Sequence, residues 1–158
     1  LDLFKRQILR GPEYKRVELS RFANTAVQIL STGIESLVVL NSVARNDLSL
    51  SSNLTAGNYY CVIQYRKIYK IIFYTYAFGT PGTLSNAYLT LYLNGVPVDT
   101  CQSRYTSQLN ITGKYIAELK PGDQLYCRAL ISGGGTPTIG DIGGYPYTQT
   151  SINIIEVI

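Results

Sequence analysis

Residues 86–98, NAYLTLYLNGVPV, constrain the fold of this chain more than any other stretch. Ala87, Leu89, Leu91 and Leu93 alternate with Tyr88, Thr90 and Tyr92 and run into Asn94-Gly95. Alternation with period two is the mark of a half-buried strand, and Asn-Gly supplies the two positive-φ positions of a tight hairpin. The later stretch 114–130, KYIAELKPGDQLYCRAL, repeats the design: a strand to Leu119, the turn Lys120-Pro121-Gly122-Asp123, and a second alternating strand. Pro and Gly suit the backbone that such a turn needs. Two hairpins of this kind predict an antiparallel sandwich.

Other segments agree. Ile68–Phe78, IYKIIFYTYAF, is the most β-rich run and reads as a core strand; it is too short, and with Lys70 too polar, to cross a bilayer as a helix. Leu37–Leu40 reads as a short buried strand, Ala44–Ser49 as a polar turn region, Leu50–Leu54 and Tyr59–Tyr65 as strands, and Thr150–Ile158 as the closing strand. Val17–Leu19 and Ala26–Leu30 fit short edge strands, although Phe22, Ala26, Ile29 and Leu30 also fit a helical face. Ser132–Tyr147, rich in Gly and Thr, is expected to be a long surface loop. At 158 residues the economical organisation is a basic arm over residues 1–25 and one jelly-roll domain over residues 26–158, an all-β antiparallel sandwich with an N-terminal extended arm.

Composition narrows function mainly by exclusion. The chain has no His, so the commonest general base and metal ligand is missing; a hydrolase triad cannot be built in its usual form, and no GxxxxGK[ST] is present. The expectation is a non-enzyme without cofactor or metal. Asp99, Asp123, Asp141 and Glu156 are scattered; Asp123 reads as a turn residue whose carboxylate accepts backbone N–H groups, and Asp141 lies in the Gly-rich loop with Tyr145 and Tyr147, a candidate recognition loop. Cys61, Cys101 and Cys127 have no CxxC spacing and read as small buried residues, with a Cys61–Cys127 or Cys101–Cys127 bridge requiring adjacent strands and an oxidising compartment. Asn53-Leu54-Thr55 and Asn110-Ile111-Thr112 are sequons.

The net charge is +4, and Lys5, Arg6, Arg10, Lys15 and Arg16 gather near the start. Such an arm suits contact with nucleic acid, an acidic neighbour or a membrane face, and a solvated or subunit-contacting arm is the alternative. Tyr is the main aromatic, at 14 residues, and Tyr59, Tyr65, Tyr69, Tyr74 and Tyr76 on the strand-like runs are candidates for an oligomer interface.

The order of Lys67-Ile68-Tyr69-Lys70-Ile71, Leu93-Asn94-Gly95, Leu119-Lys120-Pro121-Gly122-Asp123-Gln124-Leu125, a Gly-rich loop and a terminal Ile-x-Ile strand resembles the globular heads of the C1q and tumour-necrosis-factor-like jelly rolls, over about Val27 to Ile158. Ile68 stands where that family usually has Gly, and no collagen-like or coiled-coil stalk is visible. The resemblance implies a ten-strand-type jelly roll that assembles as a trimer through aromatic and aliphatic strand faces. The fold also resembles jelly-roll modules of viral shells, turrets and fibre heads. With the basic arm and the Tyr-, Ile- and Thr-rich composition, this leads to the expectation of a virion structural protein, of archaeal-virus type, that contacts other virion proteins and a host-surface receptor. The alternative is a secreted or cell-surface C1q-like trimeric head recognising a protein or glycan.

Overall fold

The computed structural model describes residues 18–24, 26–55, 57–78, 84–104, 108–133, 135–140 and 150–157. They form β1 (Leu19–Ala23), β2 (Val27–Ile29), β3 (Ser36–Leu37), β4 (Ser42–Asn46), β5 (Ser51–Asn53), β6 (Tyr60–Val62), β7 (Lys67–Phe78), β8 (Leu84–Leu93), β9 (Val96–Ser103), β10 (Gln108–Leu119), β11 (Gln124–Gly133), β12 (Thr138–Gly140) and β13 (Ser151–Glu156). No helix occurs among the described residues, so none there is long and apolar enough to cross a membrane.

The strands make two antiparallel sheets. Sheet A, seven-stranded, runs β2-β12-β7-β13-β1-β4, with β10 along the other edge of β7. Sheet B, six-stranded, runs β5-β6-β11-β8-β9, with β3 also paired to β11. The long strand β7 is the axis of sheet A: every residue of it pairs with β10, while β13 and β12 share its opposite edge. Its burial alternates strictly from Tyr69 to Ala77, which sends Tyr69, Ile71, Phe73, Thr75 and Ala77 inward and Ile72, Tyr74 and Tyr76 outward. Leu89, Leu91, Leu125, Cys127, Ala129 and Ile131 meet them from sheet B. Burying a large apolar side chain stabilises by roughly 1.5–3 kcal/mol, so this shared interior is what holds the sheets together.

Both predicted hairpins form. Asn94 takes φ 52° and Gly95 φ 84°, the left-handed pair that a two-residue turn of this hand needs. The second turn is bound to the first. Asp123 Oδ2 accepts the Lys120 N–H (2.9 Å), Asp123 Oδ1 accepts from Asn94 Nδ2 (2.8 Å), and Asn94 Oδ1 accepts the Gln124 N–H (2.8 Å). The carboxylate is the turn acceptor that the sequence predicts, and it also clamps the neighbouring hairpin.

Several boundaries differ from expectation, each because pairing overrode local pattern. Ala44–Asn46, read as turn, belongs to β4, since β1 offers it a partner edge. The helical alternative at 22–30 is not adopted: β1 lies inside sheet A between β13 and β4, so Leu19–Ala23, placed in the arm from sequence, is built into the sandwich. The run Leu37–Leu40 is strand only to Leu37; beyond it Val38 and Leu40 stay buried, and the Gln28 amide serves that backbone by donating to Leu37 O (2.8 Å) and accepting the Val39 N–H (2.9 Å). Tyr59–Tyr65 shortens to β6. The segment expected to be loop from Ser132 holds β12, because Ile139 has a core site between β2 and β7. Cys61, Cys101 and Cys127 are free.

Candidate functional site

Two broad surfaces are left by the sandwich, the outer face of each sheet. Strand register defines the first. Paired residues of antiparallel strands share a face, so Arg21, Asn153, Ile72 and Lys114 form one row across sheet A, and Leu19, Ile155, Lys70 and Ile116 form the next. Tyr74 sits between Ser151 and Thr112, and Tyr76 lies beside Asn110. Large apolar side chains stand exposed here: Ile116 (59%), Ile68 (49%) and, on the β2 flank, Ile29 (69%) and Val27 (46%). Isoleucines concentrated on one solvent face, with tyrosines half-buried among them, are what an interaction surface requires.

The five candidate interface tyrosines separate on this geometry. Tyr74 and Tyr76 lie on the outer face of sheet A. Tyr69 does not: it is 1% exposed, turned into the core, and its hydroxyl donates to Tyr65 O (2.9 Å). Tyr65 is exposed in the bend between β6 and β7, and Tyr59 packs on the core at the sheet B side. The arm residues Lys5, Arg6, Arg10, Lys15 and Arg16 and the loop residues Asp141, Tyr145 and Tyr147 lie outside the described residues.

The outer face of sheet B carries a cluster that the sequence did not single out. Tyr92 and Tyr126, paired across β8 and β11, stack with ring centroids 5.1 Å apart and planes 8° from parallel. The Arg128 guanidinium lies 5.6 Å from the Tyr92 centroid. Glu35, in the segment leading into β3, ties the group together: its Oε1 accepts the Tyr92 hydroxyl (2.8 Å), and its Oε2 faces Arg128 Nη1 (3.4 Å). Burial, the bond to Glu35 and the Glu35 charge push the Tyr92 phenol up, while Arg128 pulls it the other way. Glu35 is 57 residues from Tyr92 and 93 from Arg128, so only the tertiary fold could reveal the group. Among the described residues no three His, Cys, Asp or Glu side chains gather as metal ligands.

This architecture is that of the tumour-necrosis-factor/C1q jelly rolls. The chain is similar to Eiger, a tumour necrosis factor of S. frugiperda, with TM-score 0.63 and 12% identity over 91% of this chain and 94% of that one. It is similar to the globular domain of zebrafish complement 1qA, with TM-score 0.57 and 11% identity over 89% and 98%. It is also similar to murine APRIL, with TM-score 0.60 and 10% identity over 90% and 100%. No protein-family model and no curated protein sequence matches the chain. The fold resemblance read from the hairpin order is therefore met in three dimensions.

Proposed function

We propose that this chain is a non-enzymatic jelly-roll head that self-associates, three copies about a threefold axis, through the outer face of sheet A. The observation that carries this reading is the set of exposed Ile29, Ile68 and Ile116 with half-buried Ile72, Tyr74 and Tyr76 between them on the outer face of sheet A. A second copy is the occupant that such a face fits, since Ile and Tyr surfaces pack on one another and the similar folds named above present the same architecture. The finer reading is a virion subunit, with the basic arm reaching a neighbour or packaged nucleic acid; the secreted binding head is its alternative. The virion reading is supported by the Tyr-rich, His-free composition and the early cluster of Lys and Arg.

Light scattering of the intact chain tests the assembly. The expected result is a trimer, converted to monomer by Ile72→Glu, with the melting temperature of the monomer little changed. A wild-type monomer at micromolar concentration overturns the proposal. Mass spectrometry of purified particles decides the finer reading, which fails if the chain occurs only in medium or membrane fractions.

A further inference from the structure

We infer that the outer face of sheet B is a binding site for a neutral carbohydrate, with Glu35, Tyr88 and the Thr90–Thr100 pair as its recognition groups. A cavity of about 350 Å³ opens there, lined by Glu35, Tyr88, Thr90, Thr100 and Leu130. That volume lies at the small end of the ~300–1,000 Å³ range of small-ligand sites, which suits one or two rings rather than a protein loop. A second recess of about 190 Å³ lies beside it along β11, lined by Tyr60, Tyr126, Arg128, Leu37, Gly57 and Asn58. The Glu35–Arg128 pair joins the two recesses.

The lining chemistry selects the ligand. Glu35 and Arg128 cancel each other's charge, so the site gives no net attraction to a free anion or cation. What remains is a set of neutral or mutually compensated hydrogen-bonding groups beside aromatic rings. Thr90 and Thr100 hydroxyls lie 3.1 Å apart and share one hydrogen bond, leaving acceptor and donor capacity for ligand hydroxyls. Gln102 Nε2 donates to the Tyr88 hydroxyl (3.1 Å), which fixes that ring at the rim of the larger recess. Tyr60 and Tyr126 line the smaller one. Arg128 Nε, buried on this face, has no hydrogen-bond partner among the described residues. Rigid Tyr edges and faces for the C–H surface of a sugar, with a bonded carboxylate–guanidinium pair and paired hydroxyls for its O–H groups, form a polyhydroxyl site. The proposal does not depend on self-association, which uses the opposite sheet.

The test is binding of the intact protein to an immobilised panel of neutral, sialylated and sulfated oligosaccharides, followed by saturation-transfer NMR on the best member. Binding confined to neutral members, reduced at least tenfold by Tyr88→Ala and by Glu35→Gln and about two- to fivefold by Thr100→Val, is the expected result. Melting temperature and oligomeric state, read on the same samples, separate loss of the site from loss of the fold or of the assembly. Thr100→Val, at an exposed edge-strand position, keeps the test open if Glu35→Gln fails to fold. Absence of binding to every neutral member overturns the proposal, as does binding that tracks negative charge or is unmoved by Tyr88→Ala.

Discussion

Removing the Asp123 carboxylate should uncouple the two hairpins that organise the chain. Asp123 is almost fully buried, and Asp123→Ala leaves the Lys120 N–H and one Asn94 amide hydrogen without their acceptor. An orphaned, partly buried donor costs about 1–3 kcal/mol, and hydrogen bonds to a charged acceptor lie toward the upper end. The two together give about 2–6 kcal/mol. For a chain of this size each kcal/mol moves the melting temperature by roughly 2–4 °C, so the variant should melt roughly 4–24 °C lower. Asn94→Gly is the matching change, because Gly tolerates the φ of 52° at this position and only the amide is lost. In urea denaturation of Asp123→Ala, Asn94→Gly and the double variant, the coupling should be about 0.5–2 kcal/mol, as expected for residues in one network. Strict additivity, or an Asp123→Ala cost under about 0.5 kcal/mol, would refute the clamp.

Gly113 is held open for packing. A Cβ there would overlap the Phe73 ring and lie 2.5 Å from Cys101 Sγ, so Gly113→Ala should cost about 1–3 kcal/mol by overpacking, and Phe73→Leu should partly offset it in a denaturation cycle. Burial pushes the Cys61 thiol up to about 12 and raises Cys127 well above the ordinary value of 9.0. Both thiols therefore ionise earlier in the unfolded chain: their contribution is fully present below about pH 9 and is lost as pH rises from there toward 12. Above about pH 9 stability should fall by about 1.4 kcal/mol per pH unit per thiol, and Cys61→Ala should remove one share of that slope even though it lowers stability at neutral pH. Asn110 and Thr112 point from the outer face of sheet A beside Tyr76 and Tyr74, so a glycan on Asn110 would cover the proposed self-association surface. The trimer should be unglycosylated at Asn110, and a glycan found there by peptide mapping of a stable trimer would place the interface elsewhere.

How much of this was legible follows from sequence distance. Asn94-Gly95 and Pro121-Gly122-Asp123 declare themselves because a turn is decided within four residues, and β8, β10 and β11 follow from side chains that alternate next to those turns. β4 and β12 did not declare themselves: Ser42–Asn46 is polar and Thr138–Gly140 is flanked by glycines, and each is a strand only because a partner edge lies open beside it. The tyrosines show the same division at the level of one residue. The β propensity of residues 68–78 marks all three of Tyr69, Tyr74 and Tyr76 as strand residues, but only the phase of β7 against β13 decides that Tyr69 belongs to the core and the other two to a surface.

That phase also separates the two surfaces physically. Sheet A turns aliphatic side chains outward among Lys70, Lys114 and Arg21, where burial of the apolar part against another copy would gain hydrophobic free energy, and sheet B turns out hydroxyls, an amide and a compensated ion pair, where burial against an apolar partner would cost hydrogen bonds. One face is thus suited to permanent occlusion and the other to exchange with solvent and a hydroxylated ligand. If the faces were interchangeable, Ile72→Glu and Tyr88→Ala would perturb assembly and ligand binding alike; under the two assignments proposed above each perturbs one and spares the other.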